Sequence, residues 1–274
     1  MRINSLLLLL LLGFTALFAY DDFDMDGVDD LHDKCPNTLF SDLVDINGCT
    51  IQSLQTPYHF DIIVGIDYAQ TDYRTTEKTN IYSSSIQVDY YYKDFSFQAS
   101  SSYFSSNSSS YKEKGLNDST LALYYNTIAF TNFNIKVGAG VILPTFKTSL
   151  NNNSTDYMIN LNLSYQLKDF TYFGGYNYIQ INDDDINTDE LTISYQDIQA
   201  YNFGLGYYPS NKMYTSISFN NSKSLYSNIE DIKVASLYLY YSLNENYFST
   251  FSYAYGLSDS ASNHSASFKI GYYF

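Results

Sequence analysis

Tyr157-Met158-Ile159-Asn160-Leu161-Asn162-Leu163-Ser164-Tyr165-Gln166-Leu167 alternates without a break between two kinds of side chain. Tyr157, Ile159, Leu161, Leu163, Tyr165 and Leu167 form one set; Met158, Asn160, Asn162, Ser164 and Gln166 form the other. A period of two belongs to a pleated strand whose faces meet different surroundings. Asn, Ser and Gln opposite Leu and Tyr do not suit a core buried on both sides. They suit a wall with hydrocarbon outside and water inside.

The same rhythm recurs on either side of this stretch. Twelve strands are predicted, centred on Phe60–Tyr68, Tyr82–Tyr92, Phe95–Tyr103, Leu121–Ala129, Phe133–Leu143, Tyr157–Leu167, Tyr172–Ile181, Tyr201–Tyr207, Met213–Phe219, Ala235–Leu243, Phe251–Leu257 and Ala266–Phe274. Short turns are expected at Lys93-Asp94, Thr131-Asn132, Lys168-Asp169, Pro209–Lys212 and Asn244–Asn246. Longer polar loops are expected near 70–80, 105–118, 146–155, 182–197, 221–231 and 258–264. Short turns alternating with long loops, and an even strand count, describe an all-β transmembrane up-and-down antiparallel barrel of about 12 strands, with 10 to 14 as the range.

The last strand reads Ala266-Ser267-Phe268-Lys269-Ile270-Gly271-Tyr272-Tyr273-Phe274. It resembles the C-terminal strand of Gram-negative outer-membrane β-barrels, which usually ends in Phe with aromatic or apolar residues at alternate positions upstream. Phe268, Ile270, Tyr272 and Phe274 occupy those positions here. The resemblance implies recognition by the barrel-insertion machinery. It also implies residence among outer-membrane lipid and lipopolysaccharide.

Composition agrees with such a wall. The 274 residues include 31 Tyr and 19 Phe, with no Trp and only 4 Pro. Aromatic residues favour pleated strands, and Tyr suits the lipid–water boundary. Mean hydropathy is -0.24, because lipid-facing and lumen-facing residues average out in a barrel. The formal net charge of -15 disfavours a nucleic-acid partner and suits divalent cations. Arg2, the run Leu6–Leu12 and Ala16-Leu17-Phe18-Ala19 read as a signal peptide over residues 1–19. Export permits a disulfide between the two cysteines, Cys35 and Cys49.

Residues 20–56 differ from the barrel region, 57–274. They hold nine aspartates and one lysine. Within Asp22-Phe23-Asp24-Met25-Asp26-Gly27-Val28-Asp29-Asp30-Leu31-His32-Asp33, carboxylates fall at positions 1, 3, 5, 9 and 12, with Gly at 6. This is the spacing of a loop that wraps Ca2+ in oxygen ligands. Asp22, Asp24 and Asp26 converge on the ion, the Val28 carbonyl adds a ligand, and Asp30 and Asp33 close the shell. The segment continues through Cys35-Pro36-Asn37-Thr38 to Val44-Asp45-Ile46-Asn47-Gly48-Cys49. The whole resembles a thrombospondin type 3 repeat, of the kind also found in OmpA-like outer-membrane proteins. The resemblance implies calcium on Asp22, Asp24, Asp26, Val28, Asp30 and Asp33 and a Cys35–Cys49 bridge. With so little apolar mass, metal and disulfide must supply most of this segment's order.

Enzymatic chemistry has little support in the sequence. His32 lies in the acidic loop, His59 near the first strand with Asp61 two residues on, and His264 beside Ser265. Only His264 suggests a membrane lipid hydrolase, and no local motif completes a triad. The predicted lumen is lined by uncharged groups such as Ser85, Gln87, Asn134, Asn160, Ser216 and Ser267. Tyr124, Tyr214, Tyr238, Tyr240 and Tyr273 are interleaved, and Asp61, Asp67, Asp89, Lys136, Lys168 and Lys269 are the few charges. The expected function is a non-enzymatic, porin-like channel for small solutes in the outer membrane, with its N-terminal calcium segment in the periplasm. There the segment would plug the mouth or tether peptidoglycan or a periplasmic protein. The alternatives are a closed anchoring barrel with a calcium-dependent adhesive role, and the hydrolase.

Overall fold

The computed structural model describes residues 24, 28, 30, 33–35, 37–38, 42–53, 58–72, 77–109, 112–147, 153–187 and 192–274. The expected signal peptide, His32, Asp22 and Asp26 lie outside them. Two compact units are present, Met1–Pro57 and Tyr58–Phe274.

In the first unit a hairpin of β1 (Asp42–Val44) and β2 (Thr50–Ser53) pairs antiparallel. The sequence reading held this segment to be irregular. It passed over the turn chemistry of Asp45-Ile46-Asn47-Gly48, where the Asp45 carboxylate accepts from the Asn47 and Cys49 amides at 2.8 and 3.2 Å and Gly48 takes φ 73°. Those bonds, the one from the Asn47 amide foremost, hold Asp45 below the usual carboxylate range.

The second unit is a closed antiparallel barrel of twelve long strands. In chain order these are β3 (Tyr58–Thr71), β4 (Thr79–Tyr92), β5 (Phe95–Asn107), β7 (Ser119–Phe130), β8 (Phe133–Leu143), β9 (Asp156–Leu167), β10 (Phe170–Gln180), β13 (Ile198–Ser210), β14 (Met213–Ser222), β15 (Ile232–Ser242), β16 (Tyr247–Gly256) and β17 (His264–Tyr273). Each pairs with its neighbour, and β17 pairs with β3 to close the ring. At the seam the Phe274 amide donates to the Phe60 carbonyl at 2.9 Å, and the two rings stack at 4.3 Å.

The sequence placed the five short turns correctly. Three of them put a non-glycine residue in the left-handed region, Lys93 at φ 51°, Asn132 at 66° and Lys168 at 53°. The loops needed correction. Residues 105–118 are not all loop: β5 runs on to Asn107 and pairs with β6 (Lys112–Leu116). This extension is polar on both faces, so hydrophobic periodicity could not reveal it. Loop 182–197 holds a small hairpin of β11 (Ile186–Asn187) and β12 (Thr192–Ile193). β16 begins at Tyr247, four residues earlier than expected from Phe251.

Following paired residues from β3 once around the ring returns to β3 displaced by roughly 14 residues. For twelve strands that stagger implies a tilt of about 40° and a backbone wall about 12 Å from the axis.

The wall has almost no apolar core. Among the described residues the buried apolar ones are only Ala122, Phe248 and Ala261. The large apolar side chains point outward and are bare: Ile66 is 66 % exposed, Ile217 61 %, Phe203 58 % and Ile159 55 %. Water is the wrong solvent for that face; hydrocarbon is the right one. At the short-turn end outward aromatics gather in pairs, Tyr58 with Tyr90, Phe95 with Tyr125, Phe170 with Tyr207 and Tyr247 with Tyr272. They form a girdle of the kind that marks a membrane boundary.

The long-loop end is held together by its acids. Asp118 accepts from the Phe146 amide at 2.9 Å, Asp183 from Ser154 at 2.8 Å, Asp156 from Asn182 at 2.7 Å and Asp185 from Tyr195 at 2.8 Å. Asp197 takes the Tyr178 hydroxyl and the Ile181 amide, which together hold its carboxyl below the usual range. The acidic run after Asn182 is thus partly spent on joining loops.

Candidate functional site: the barrel lumen

Alternation sends one residue in two inward, and the pairing decides which of those meet. Directly opposite one another on β3 and β4 stand Asp61 and Asp89, both buried. Asp89 is well supplied: Gln87 donates to one oxygen at 2.7 Å and Gln98 to the other at 2.9 Å. The Lys136 ammonium lies 4.4 Å from the centroid of the Tyr124 ring, where its charge acts on Asp89. The Tyr91 hydroxyl lies near Asp61 on one side. Asp61 Oδ1 is buried and has no hydrogen-bond partner. Both acids were expected to face inward; their pairing came only from the register.

On the far wall the interior is aromatic. Tyr208 meets Tyr214, and Tyr214 meets Tyr238, at centroid distances of 4.7 and 6.2 Å. Tyr240 shares a 2.8 Å hydrogen bond with Tyr273, and Phe248 packs on both rings, at 5.5 and 4.6 Å. Tyr273 pairs across the seam with Asp61, so the aromatic wall and the carboxylates are neighbours.

The rings fit because glycines face them. A Cβ on Gly271 would stand 2.0 Å from Phe248, one on Gly206 2.2 Å from Tyr214, one on Gly204 2.3 Å from Phe173 and one on Gly138 2.3 Å from Tyr124. Each ring lies across a neighbouring strand where no side chain opposes it. The sequence reading missed Phe173 and Phe248 as lumen groups. Isolated glycines within alternating strands were the signal that could have found them.

Toward the long loops the inward residues become small and polar. Asn220 bridges Ser218 and Ser236 at 3.3 and 3.1 Å, and Ser85 donates to Asp67 at 3.2 Å. At the opposite, short-turn end a cavity of about 340 Å³ is lined in part by Tyr91, Ser96, Asn126, Asn134, Lys136 and Asn162. The lumen wall therefore changes from a Ser/Asn surface toward the long loops to one that also carries rings, two carboxylates and one ammonium nearer the short turns.

Of the remaining candidates His264 lies apart from the belt and His59 beside it. His264 is exposed at the long-loop end, where its Nδ1 hydrogen-bonds the Tyr253 hydroxyl at 2.6 Å. His59 stacks on Tyr91 at 4.4 Å. Phe268, Ile270 and Phe274 are exposed on the outer face of the closing strand, and Tyr272 lies between its neighbours Tyr247 and Phe274.

In the N-terminal unit Cys35 and Cys49 form a disulfide. Asp24 reaches the Cys35–Cys49 loop, its Oδ2 accepting from the Asn37 and Thr38 amides at 2.7 and 2.6 Å. Asp33 Oδ1 accepts from the Cys35 amide at 2.8 Å. The second oxygen of each, Asp24 Oδ1 and Asp33 Oδ2, is buried without a hydrogen-bond partner. Val28 and Asp30 are among the described residues of the same segment.

The fold and the polar lumen define the class: a twelve-stranded β-barrel of the outer-membrane type. No protein-family model matches the sequence, and no curated protein matches it. Solved structures do. An outer-membrane channel from Pseudomonas putida F1 superposes with TM-score 0.69 at 10% identity, over 80% of this chain and 97% of that one. The NanC porin gives 0.54 at 14% identity, over 78% and 98%. The β domain of the Bordetella autotransporter BrkA gives 0.50 at 12% identity, over 79% and 98%. At such identities the likeness is one of fold, and the fold serves channels and autotransporters alike.

Proposed function

We propose that the chain is an outer-membrane channel for small polar solutes, with a calcium-binding segment on the periplasmic side. The observation that carries this is the inward face. A wall about 12 Å from its axis is lined over its long-loop half by Ser, Asn and Gly, residues that leave room and keep water. Two of the similar solved proteins are named as a channel and a porin, which supports the reading. The aromatic belt favours a second one, a barrel closed at its short-turn end that anchors the N-terminal segment. Conductance in planar bilayers separates the two. Discrete single-channel steps are expected from the purified chain; a silent bilayer with correctly folded protein would establish the anchor.

For calcium the support is the donor set. Two buried aspartate oxygens without hydrogen-bond partners are what a hard cation requires. Asp24 and Asp33 would hold the ion, with Asp22, Asp26, Asp30 and the Val28 carbonyl completing the shell. The bound ion supplies order rather than reaction. It neutralises a run of carboxylates that otherwise repel one another. Outer-membrane lipid and lipopolysaccharide would surround the barrel. The insertion machinery would read the strand that carries Phe268, Ile270, Tyr272 and Phe274.

A further inference from the structure

We propose that the lumen holds a binding site for a monovalent, ammonium-type cation at Asp61, beside Tyr91 and Tyr273, and that this site makes the channel cation-selective. The inference rests on the channel reading and adds the class of ion.

The argument starts from a charge imbalance. Two carboxylates face each other across β3 and β4, an arrangement that like charges oppose. One ammonium, Lys136, serves the belt, and it is lodged on the Asp89 side over Tyr124. Asp89 has donors on both oxygens. Asp61 is 5 % exposed, and its Oδ1 has no hydrogen-bond partner. The charge that acts on Asp61 is the repelling one of Asp89. A buried carboxylate oxygen in that position is left costly until a proton or a cation answers it.

The surroundings choose the kind. Asp89 is already engaged by Gln87 and Gln98, which leaves Asp61 with the open oxygen, so the oxygen-rich shell of a divalent ion is not offered. Aromatic rings are. Tyr273 lies opposite Asp61 across the seam, its hydroxyl engaged by Tyr240 and its ring packed on Phe248. The Tyr91 hydroxyl lies near Asp61 on the other side. A carboxylate set among aromatic rings suits a weakly hydrated monocation. Potassium and an organic ammonium share that chemistry, and the experiment distinguishes them.

The full chain is reconstituted in planar bilayers under a KCl gradient, and reversal potentials are measured for wild type, Asp61→Asn and Lys136→Gln. Wild type is expected to prefer K⁺ over Cl⁻. Asp61→Asn should lower that preference about fivefold, the effect of one charge a few ångström from a watery path, and Lys136→Gln should raise it. In parallel, saturation-transfer NMR on detergent-folded protein reports tetramethylammonium binding, with KCl as competitor. Transfer that is lost in Asp61→Asn marks an organic-ammonium site. Selectivity changed by the variant without any transfer marks a site for inorganic cations alone. An anion-selective wild type, or selectivity and transfer both indifferent to Asp61, overturns the proposal. If no current flows, the channel reading fails, and transfer still decides the site: present and Asp61-dependent it stands, absent it falls. Heat-modifiable gel mobility confirms that each variant is folded.

Discussion

Gly140 shows how finely single residues set the inner wall. A Cβ there would stand 2.5 Å from the Leu121 carbonyl oxygen and 3.0 Å from Ala122 Cα, both backbone atoms of β7. At Gly138 the nearest atoms belong to the Tyr124 ring, which can swing aside. Gly140→Val is therefore expected to destabilise the barrel by about 1–3 kcal/mol, and Gly138→Ala by less. Thermal unfolding in detergent, followed by circular dichroism, orders the two; equal melting temperatures would contradict the backbone argument. The same positions mark how far the sequence could be read. Alternation alone sends Asp61, Asp89, Lys136 and the lumen tyrosines inward, and they do face inward. That Asp61 meets Asp89, or that Phe248 covers Gly271, depends on strand register, which is a relation between distant segments and leaves no local trace.

Among the elements, the legible ones were those with unlike faces. β9 and β17 could be read directly, because one face needed grease and the other needed polar groups. β6 could not, because Lys112-Glu113-Lys114-Gly115 projects where both sides are wet and no periodicity is selected. β16 began early because Phe248 points inward onto Gly271, breaking the simple apolar-outward rule. The β1–β2 hairpin is short, and the disulfide beside it closes the Cys35–Cys49 loop, a separation of 14 residues. Such a bridge contributes about 3 kcal/mol in the chain-entropy model, and the proposed ion would add to it. Adding a chelator to the full chain is expected to speed proteolytic cleavage within residues 20–50 several-fold, while the barrel bands stay intact. A cleavage pattern indifferent to the chelator would remove the calcium reading and leave the disulfide as the sole constraint.

The barrel unit inverts the usual arrangement of a folded chain, with its grease on the outside and its polar groups within. Stability must then come from closed hydrogen bonding around the ring and from the surrounding amphiphile. The full chain is expected to give a β-type circular dichroism spectrum and heat-modifiable mobility in detergent or lipid. Diluted into plain buffer, it should yield no folded monomer; a monodisperse folded species there would defeat the outward-apolar assignment. The closure between β17 and β3 has a temporal meaning as well. Of the twelve barrel strands the latest to be made, β17, must clasp the earliest, β3. Until it arrives the sheet has two raw margins, each a row of unanswered amides and carbonyls that hydrocarbon will not tolerate. Assembly is thus all or nothing along the chain's length, and a polypeptide cut short of its final strand would be left for proteases rather than for the membrane.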